Sequence, residues 1–278
     1  MSPRNVFVFR DNALVQCSTA GLYLQGEGSQ PVVLHNVFLV CKCPAVYLET
    51  RVDALLALNE MQVNDVGVKL VNNKSVVFEN TIQKSHDDGI KILCDSRSDP
   101  ACPLVQQNYV EASTHNGIVV EGHKCFPDIT ANVIEANRKA GIRIMDNAQA
   151  HVGGSDPSDL SLKRTPAVAK DHLELYLSLF EEGIGSRSSD ALLTFYEVLE
   201  ATVEFKELIM QHINDPNIPK GNSIYSNYSQ GILLEEGCSA DINSNHLLKN
   251  IKANIALGGR RSGEQATRIL YNQIEKSK

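Results

Sequence analysis

The chain has 278 residues, 42% of them hydrophobic and 21% charged, with a formal net charge of -7. That size and apolar content suffice for one elongated domain with a continuous core. The acidic balance excludes a general nucleic-acid binder, which needs a basic stripe to neutralise phosphates. The opening Met-Ser-Pro-Arg-Asn-Val-Phe-Val-Phe-Arg has no apolar stretch of signal-peptide length, and no run is long enough to span a membrane. The expectation is a cytoplasmic protein without nucleic-acid or membrane contacts.

From the N-terminus onward one register keeps returning. Its anchor positions are Gly21, Ala45, Gly67, Gly89, Gly117, Gly141, Gly231 and Asn254, at intervals of 24, 22, 22, 28, 24, 90 and 23 residues. A fixed period of this size marks a stacked-repeat architecture, and the long interval holds an insertion of about 66 residues. One residue after each anchor stand Leu22, Val46, Val68, Ile90, Ile118, Ile142, Ile232 and Ile255; three after it stand Leu24, Leu48, Leu70, Ile92, Val120, Ile144, Leu234 and Leu257. Aliphatic residues at every second position are the mark of a strand with one face inward.

Nine residues before the anchor runs an asparagine ladder: Asn12, Asn36, Asn80, Asn108, Asn132, Asn222 and Asn245, with Asn59 one place out of step and Asn272 opening a partial ninth coil. An apolar residue follows each asparagine by two. Asparagine tolerates left-handed backbone, so it suits a recurring bend, and stacked amides at ~4.8 Å can bond to one another along the axis. A further column, Cys17, Cys41, Ser85, Ser113, Asn137, Asn227 and Asn250, fits a second tight inner turn.

The seven cysteines read as mostly free, buried thiols, three of them (Cys17, Cys41 and Cys94) at or beside repeat positions. Cys94 and Cys102 bracket a polar loop and are placed to pair in an oxidising compartment. Cys41-Lys-Cys43 and His123-Lys-Cys125 have no matching partner pair, so no metal is expected. No cofactor-binding motif is present either.

After Gly154 the period breaks. Val168 to Glu181 and Ala191 to Ile213 carry apolar residues at helical spacing, the second with Leu192, Phe195, Tyr196, Leu199 and Val203. Ser186-Arg-Ser-Ser-Asp190 supplies capping residues, and Asp215-Pro216 ends the second helix. The expected division is therefore 1–154 for coils one to six and the start of seven, 155–220 for an α-helical hairpin, and 221–278 for the remaining coils. The hairpin's apolar side packs back on the solenoid or binds a protein partner through Phe195 and Leu199.

Between the two inward residues of each sheet strand sits one outward residue: Tyr23, Tyr47, Lys69, Lys91, Val119, Arg143, Leu233 and Ala256. Two tyrosines, two lysines and an arginine along one line can hold an extended acidic ligand, either a uronate chain or an acidic peptide. A plain solvated face is the alternative.

The rung Asn-x-Ile-x-x-Asn-x-x-x-Gly-Ile-x-Ile, seen intact at Asn132 to Ile144, resembles the parallel β-helix repeat of the pectin-lyase-like superfamily across essentially the whole chain outside the insertion. The resemblance implies an all-β, right-handed parallel β-helix solenoid of about eight to nine coils. In character it is similar to the intracellular β-helix domains of F-box substrate receptors and SHC SH2-domain-binding proteins, which implies a non-catalytic interaction scaffold.

The superfamily also contains polygalacturonases. Asn64-Asp65, Asp87-Asp88, His115-Asn116-Gly117 and Arg143-Ile144-Met145 on successive coils resemble their motifs, with Met145 where the motif has lysine. That resemblance implies a glycoside hydrolase with Asp88 as general acid, Asp65 and Asp87 activating water, His115 beside them, and Arg143 holding a substrate carboxylate. A calcium-dependent lyase would instead draw on Asp87, Asp88, Asp95 and Asp99.

Overall fold

Three short strands per coil, each parallel to its counterparts above and below, wind the chain into a β-helix. The computed structural model describes residues 7–26, 28–95, 100–154, 207, 220–258 and 267–275. Sheet A has nine strands: Val8–Arg10, Val32–Leu34, Leu55–Ala57, Val76–Phe78, Leu104–Gln106, Asp128–Thr130, Gln149–Gly153, Ser239–Asn243 and Arg268–Leu270. Sheet B, also of nine, runs from Ala13–Val15 through Tyr109–Glu111 and Val133–Glu135 to Gln273–Ile274. Sheet C has eight, from Leu22–Leu24 to Ala253–Leu257. The described chain thus makes eight complete coils and a ninth that reaches sheets A and B.

The core is built from inward columns. Sheet C contributes the two columns foreseen from the glycine register, and sheet B contributes Phe38, Met61, Ile82, Val110, Ile134, Ile224 and Leu247, each with no exposed surface. A third source, the middle residues of sheet A (Val33, Leu56, Val77, Val105, Ile129, Val152 and Ile242), closes the triangle. This strand was not foreseen. In coils two to four it reads as unbroken apolar triplets rather than as an alternation, because both of its faces are covered.

The asparagine ladder is continuous through nine coils. Side-chain amides donate from Asn12 to Asn36, then to Asn59, Asn80, Asn108, Asn132, Asn222, Asn245 and Asn272, at 2.9 to 3.1 Å. Asn59 is therefore in step with its neighbours. The coil is one residue short further on, between Asn64 and Gly67, and Asn64 itself belongs to the second column, where its Oδ1 accepts the Cys41 N–H at 2.9 Å.

The reason for the asparagines also differs from expectation. At eight of the nine bends the residue before the asparagine is left-handed: Asp11, His35, Leu58, Glu79, Gln107, Ala131, Ser244 and Tyr271 all have φ between 50° and 57°, and Gly221 before Asn222 is the exception. Even Val40 and Val63, both at φ 56°, hold this geometry at the second bend, which costs an L-residue roughly 1–2 kcal/mol. Asparagine follows the bend because its amide satisfies the backbone groups that the bend leaves buried.

One cysteine pairing is corrected. Cys94 is joined to Cys125, with Cα atoms 5.4 Å apart, and not to Cys102. Cys125 lies in the next coil, where residues 101 and 125 form a parallel bridge, so the disulfide ties the 95–103 loop to the coil above. Cys17, Cys41, Cys43, Cys102 and Cys238 are not disulfide-bonded. Burial is the leading cause raising the Cys41 thiol to about 11 and the Cys43 and Cys238 thiols above their ordinary value of 9.0, so these stay protonated.

Residues 155–219 interrupt coil seven at the bend between sheets A and B. The sheet A strand Gln149–Gly153 precedes them and the sheet B strand Ser223–Tyr225 follows. Gly154 and Lys220 adjoin, since a Cβ on Gly154 would lie 2.8 Å from that of Lys220. Apart from Glu207, the helical hairpin expected there lies outside the described residues, and so do Phe195 and Leu199. Among the described residues no helix is long and apolar enough to cross a membrane.

Candidate functional site

The turn that leads from sheet B into sheet C stacks the residues lying two before the glycine. Asp87 N–H donates to the Asp65 carbonyl at 2.7 Å, His115 N–H to that of Asp87 at 3.1 Å, and Lys139 N–H to that of His115 at 2.8 Å. The column therefore presents Asp65, Asp87, His115 and Lys139 in coil order. His115 Nδ1 is hydrogen-bonded to Asp87 Oδ1, with both side chains partly open to solvent.

Asp88 lies one place further on and is only 4% exposed. Its Oδ1 accepts both the backbone N–H and the side-chain amide of Asn116, each at 2.9 Å. Asn116 Oδ1 in turn accepts the Ala140 N–H at 3.1 Å. This paired donation to one oxygen is the same unit that builds the asparagine ladder, so Asp88 serves as a strut between coils. Asp87, Asp88 and His115 offer atoms within 4.8 Å of one another that can ligate a cation, a grouping that adds His115 to two of the four carboxylates in the calcium reading. Asp95 is not brought to them: the strand Ile90–Leu93 separates it from the Asp87-Asp88 turn, and Asp99 lies outside the described residues.

Beside this column runs the outward line of sheet C. The strand register places Tyr23, Tyr47, Lys69, Lys91, Val119, Arg143, Leu233 and Ala256 on successive coils. Tyr23 and Tyr47 meet with ring centroids 5.1 Å apart and planes tilted by 49°. Lys69 Nζ stands 4.6 Å from the Tyr47 centroid, a cation–π contact that holds the ammonium in place. Tyr23 donates to Glu49 at 2.8 Å, and that bond is the main cause raising its phenol above 10.0; Tyr47 is raised chiefly by burial.

The line then changes character. Val119 is buried, and Arg143 donates through Nε to Glu235 at 2.8 Å, so its charge is already matched.

The right-handed β-helix region, as a family, matches residues 5–156, more than half of the chain. The chain belongs to that family. No curated protein matches it. Among solved structures, the Azotobacter vinelandii mannuronan C-5 epimerase AlgE6 A-module aligns over 99% of this chain and 80% of its own, at 9% identity and a TM-score of 0.27.

This right-handed β-helix also carries a polar cluster that sequence reasoning missed, on the outer face of sheet B. Gln62 Nε2 donates to Gln83 Oε1 at 3.3 Å, Gln83 Nε2 donates to Glu111 Oε2 at 2.7 Å, and the Tyr109 hydroxyl donates to Glu135. Glu111, Glu135 and Tyr225 face outward in register on adjacent coils. The signal was available in the sequence at the third position after each asparagine of the ladder, where Gln62, Gln83, Glu111 and Glu135 stand.

Proposed function

We propose that this β-helix is a non-catalytic recognition domain whose sheet C face binds an extended acidic peptide segment of a protein partner. The supporting observation is the basic spot made by Lys69 and Lys91, in register on adjacent coils, with Lys69 positioned over Tyr47. The next outward residues on the same strands, Val71 and Leu93, carry no charge, so no carboxylate of these two strands neutralises the spot. An extended peptide places alternate side chains on one side at about 7 Å spacing. Lys69 and Lys91 rise from neighbouring strands about 4.8 Å apart, and their flexible four-carbon stems splay to meet carboxylates at the wider peptide spacing through charge-assisted hydrogen bonds.

Protein recognition is favoured over uronate binding by the state of the rings. Tyr23 and Tyr47 turn toward each other, and Tyr47 is engaged by Lys69, so cations rather than open aromatic platforms are presented. Hydrolysis is disfavoured because Asp88 is engaged as a strut and Arg143 is matched by Glu235. The reading agrees with the resemblance to substrate-recognition β-helices.

The test is titration of a fluorescent poly-glutamate peptide, an oligogalacturonate and a neutral peptide of equal length. Peptide binding should weaken about tenfold in each of Lys69→Glu and Lys91→Glu, as expected for losing one charge-assisted contact, and should persist in Asp87→Asn. Equal affinity for the neutral peptide would sink the proposal. So would stronger binding of the oligogalacturonate, or its cleavage in a manner lost with Asp87→Asn.

A further inference from the structure

The outer face of sheet A changes character along the axis. One outward column reads Val8, Val32, Leu55, Val76 and Leu104 in coils one to five, then Asp128, His151, Asp241 and Arg268. The other reads Arg10, Leu34, Ala57 and Phe78, then Gln106 and Thr130. These positions alternate with the core column Val33, Leu56, Val77 and Val105 and therefore point away from the core. Yet Val32, Leu34, Leu55, Ala57, Val76, Phe78 and Leu104 are at most 3% exposed and form a cluster separate from the main core.

Something in this single chain covers that face. Among the described residues, the only other hydrophobic side chains packed against the cluster are Val8 and Leu58, which belong to the β-helix itself. The remaining stretches of chain are unequal candidates. Residues 96–99 read Ser-Arg-Ser-Asp, 259–266 read Gly-Arg-Arg-Ser-Gly-Glu-Gln-Ala, and the terminal segments 1–6 and 276–278 are short and mostly polar. Residues 155–219 alone supply many large apolar side chains, and they leave and rejoin the β-helix at the edge of sheet A, where Gly154 meets Lys220.

The dimensions agree. Five coils at ~4.8 Å spacing make a patch roughly 19 Å long, which about 13 helical residues would span at 1.5 Å each. The apolar positions Leu192, Phe195, Tyr196, Leu199 and Val203 recur at helical spacing over such a length.

We propose that residues 155–219 dock on the outer face of sheet A across coils one to five, setting Leu192, Phe195, Leu199 and Val203 against Val32, Leu55, Val76 and Phe78. The inference does not rest on the recognition role of sheet C. It assigns Phe195 and Leu199 to an intramolecular contact rather than to a partner. The occupant is the chain's own insertion because the burial belongs to one chain, and a second copy would have to displace it.

The full-length chain carrying Phe195→Asp and Leu199→Asp tests the proposal. Its β-helix should keep the circular dichroism of the parent, while binding of an apolar dye rises several-fold and trypsin cleaves within 155–219 about tenfold faster, as for a segment released from its packing surface. Glu207→Ala, at an exposed position, should change neither. Unchanged dye binding and cleavage in the double variant would overturn the docking. If the variant fails to fold, photo-leucine incorporated into the unmodified chain gives an independent measure. Cross-links from Leu34, Leu55 or Leu104 to peptides of 155–219 in the monomer band support the docking. Cross-links confined to a dimer band, or none reaching 155–219, refute it.

Discussion

The backbone N–H and the side-chain amide of Asn108 both donate to Asn132 Oδ1, at 2.9 and 3.0 Å. The same side chain also donates to the Val77 and Gln106 carbonyls, while its own oxygen accepts the two N–H groups of Asn80. Asn108→Leu therefore removes acceptor and donor at once in a buried site. With about 1–3 kcal/mol for each buried group left unsatisfied, a loss of roughly 3–5 kcal/mol in urea unfolding is expected. Asn272→Leu, at the partly solvated end of the ladder, should cost about 1 kcal/mol. Equal losses at both positions would show that burial of the ladder is not what makes it matter.

Gly117 is required for close approach and not for an unusual backbone angle. A Cβ there would lie 2.5 Å from Ile134 Cγ2, 2.7 Å from the Gly141 carbonyl and 2.9 Å from Asn137 Nδ2. The coil above cannot retreat without lengthening the sheet C hydrogen bonds, so Gly117→Ala should destabilise by about 1–3 kcal/mol in the same assay. Gly258→Ala, whose nearest contact is at 3.0 Å, should fall within about 0.5 kcal/mol of the parent.

These two residue columns also show how far the sequence could be read. Gly117 and Asn108 recur at the coil period, so periodicity alone exposed sheets B and C and their core columns. Sheet A stayed hidden because Val32-Val33-Leu34 and Val76-Val77-Phe78 are apolar on both faces and carry no alternation. Asn64 was left out of the second inner column because the register was anchored on glycine, and the short coil shifts it by one. At the candidate site, sequence named Asp65, Asp87, Asp88 and His115 but could not distinguish their settings: Asp87 meets His115, whereas Asp88 is sealed against Asn116. Which charges cancel, as Arg143 and Glu235 do across 92 residues of sequence, depends on the rotamers that long side chains adopt between coils, which periodicity does not fix.

Cys94 and Cys125 are separated by 31 residues and brought within 5.4 Å at Cα. Closing a loop of that length in the unfolded chain stabilises the fold by about 2–4 kcal/mol, so Cys125→Ser should lose that amount under oxidising conditions and nothing further on adding reductant. Titration of thiols in denaturant should find five before reduction and all seven after it. Cys102→Ser should show one thiol fewer than the parent in both states. A rise in the unreduced count on Cys102→Ser would mean that Cys94 pairs within its own loop instead.

The Tyr109 hydroxyl donates to Glu135, and its phenol is raised above 10.0, first by burial, then by that hydrogen bond and by repulsion from Glu135 and Glu111. Tyr225, next to the same carboxylates, is raised by burial and by Glu135. In the unfolded chain these phenols ionise near 10, so above that pH the folded state holds protons that the unfolded state has released. Stability contributed by the cluster is therefore complete below pH 10 and declines as pH climbs toward the folded-state values. Urea midpoints measured from pH 8 to 12 should stay level and then fall, with burial of Cys41, raised from 9.0 to about 11, adding to the slope from about pH 9. Tyr109→Phe should lower the midpoint at pH 8 through loss of the hydrogen bond, and it should also flatten the alkaline fall. A variant that keeps the parent's slope would remove Tyr109 as its source, leaving the thiols and Tyr225 to account for it.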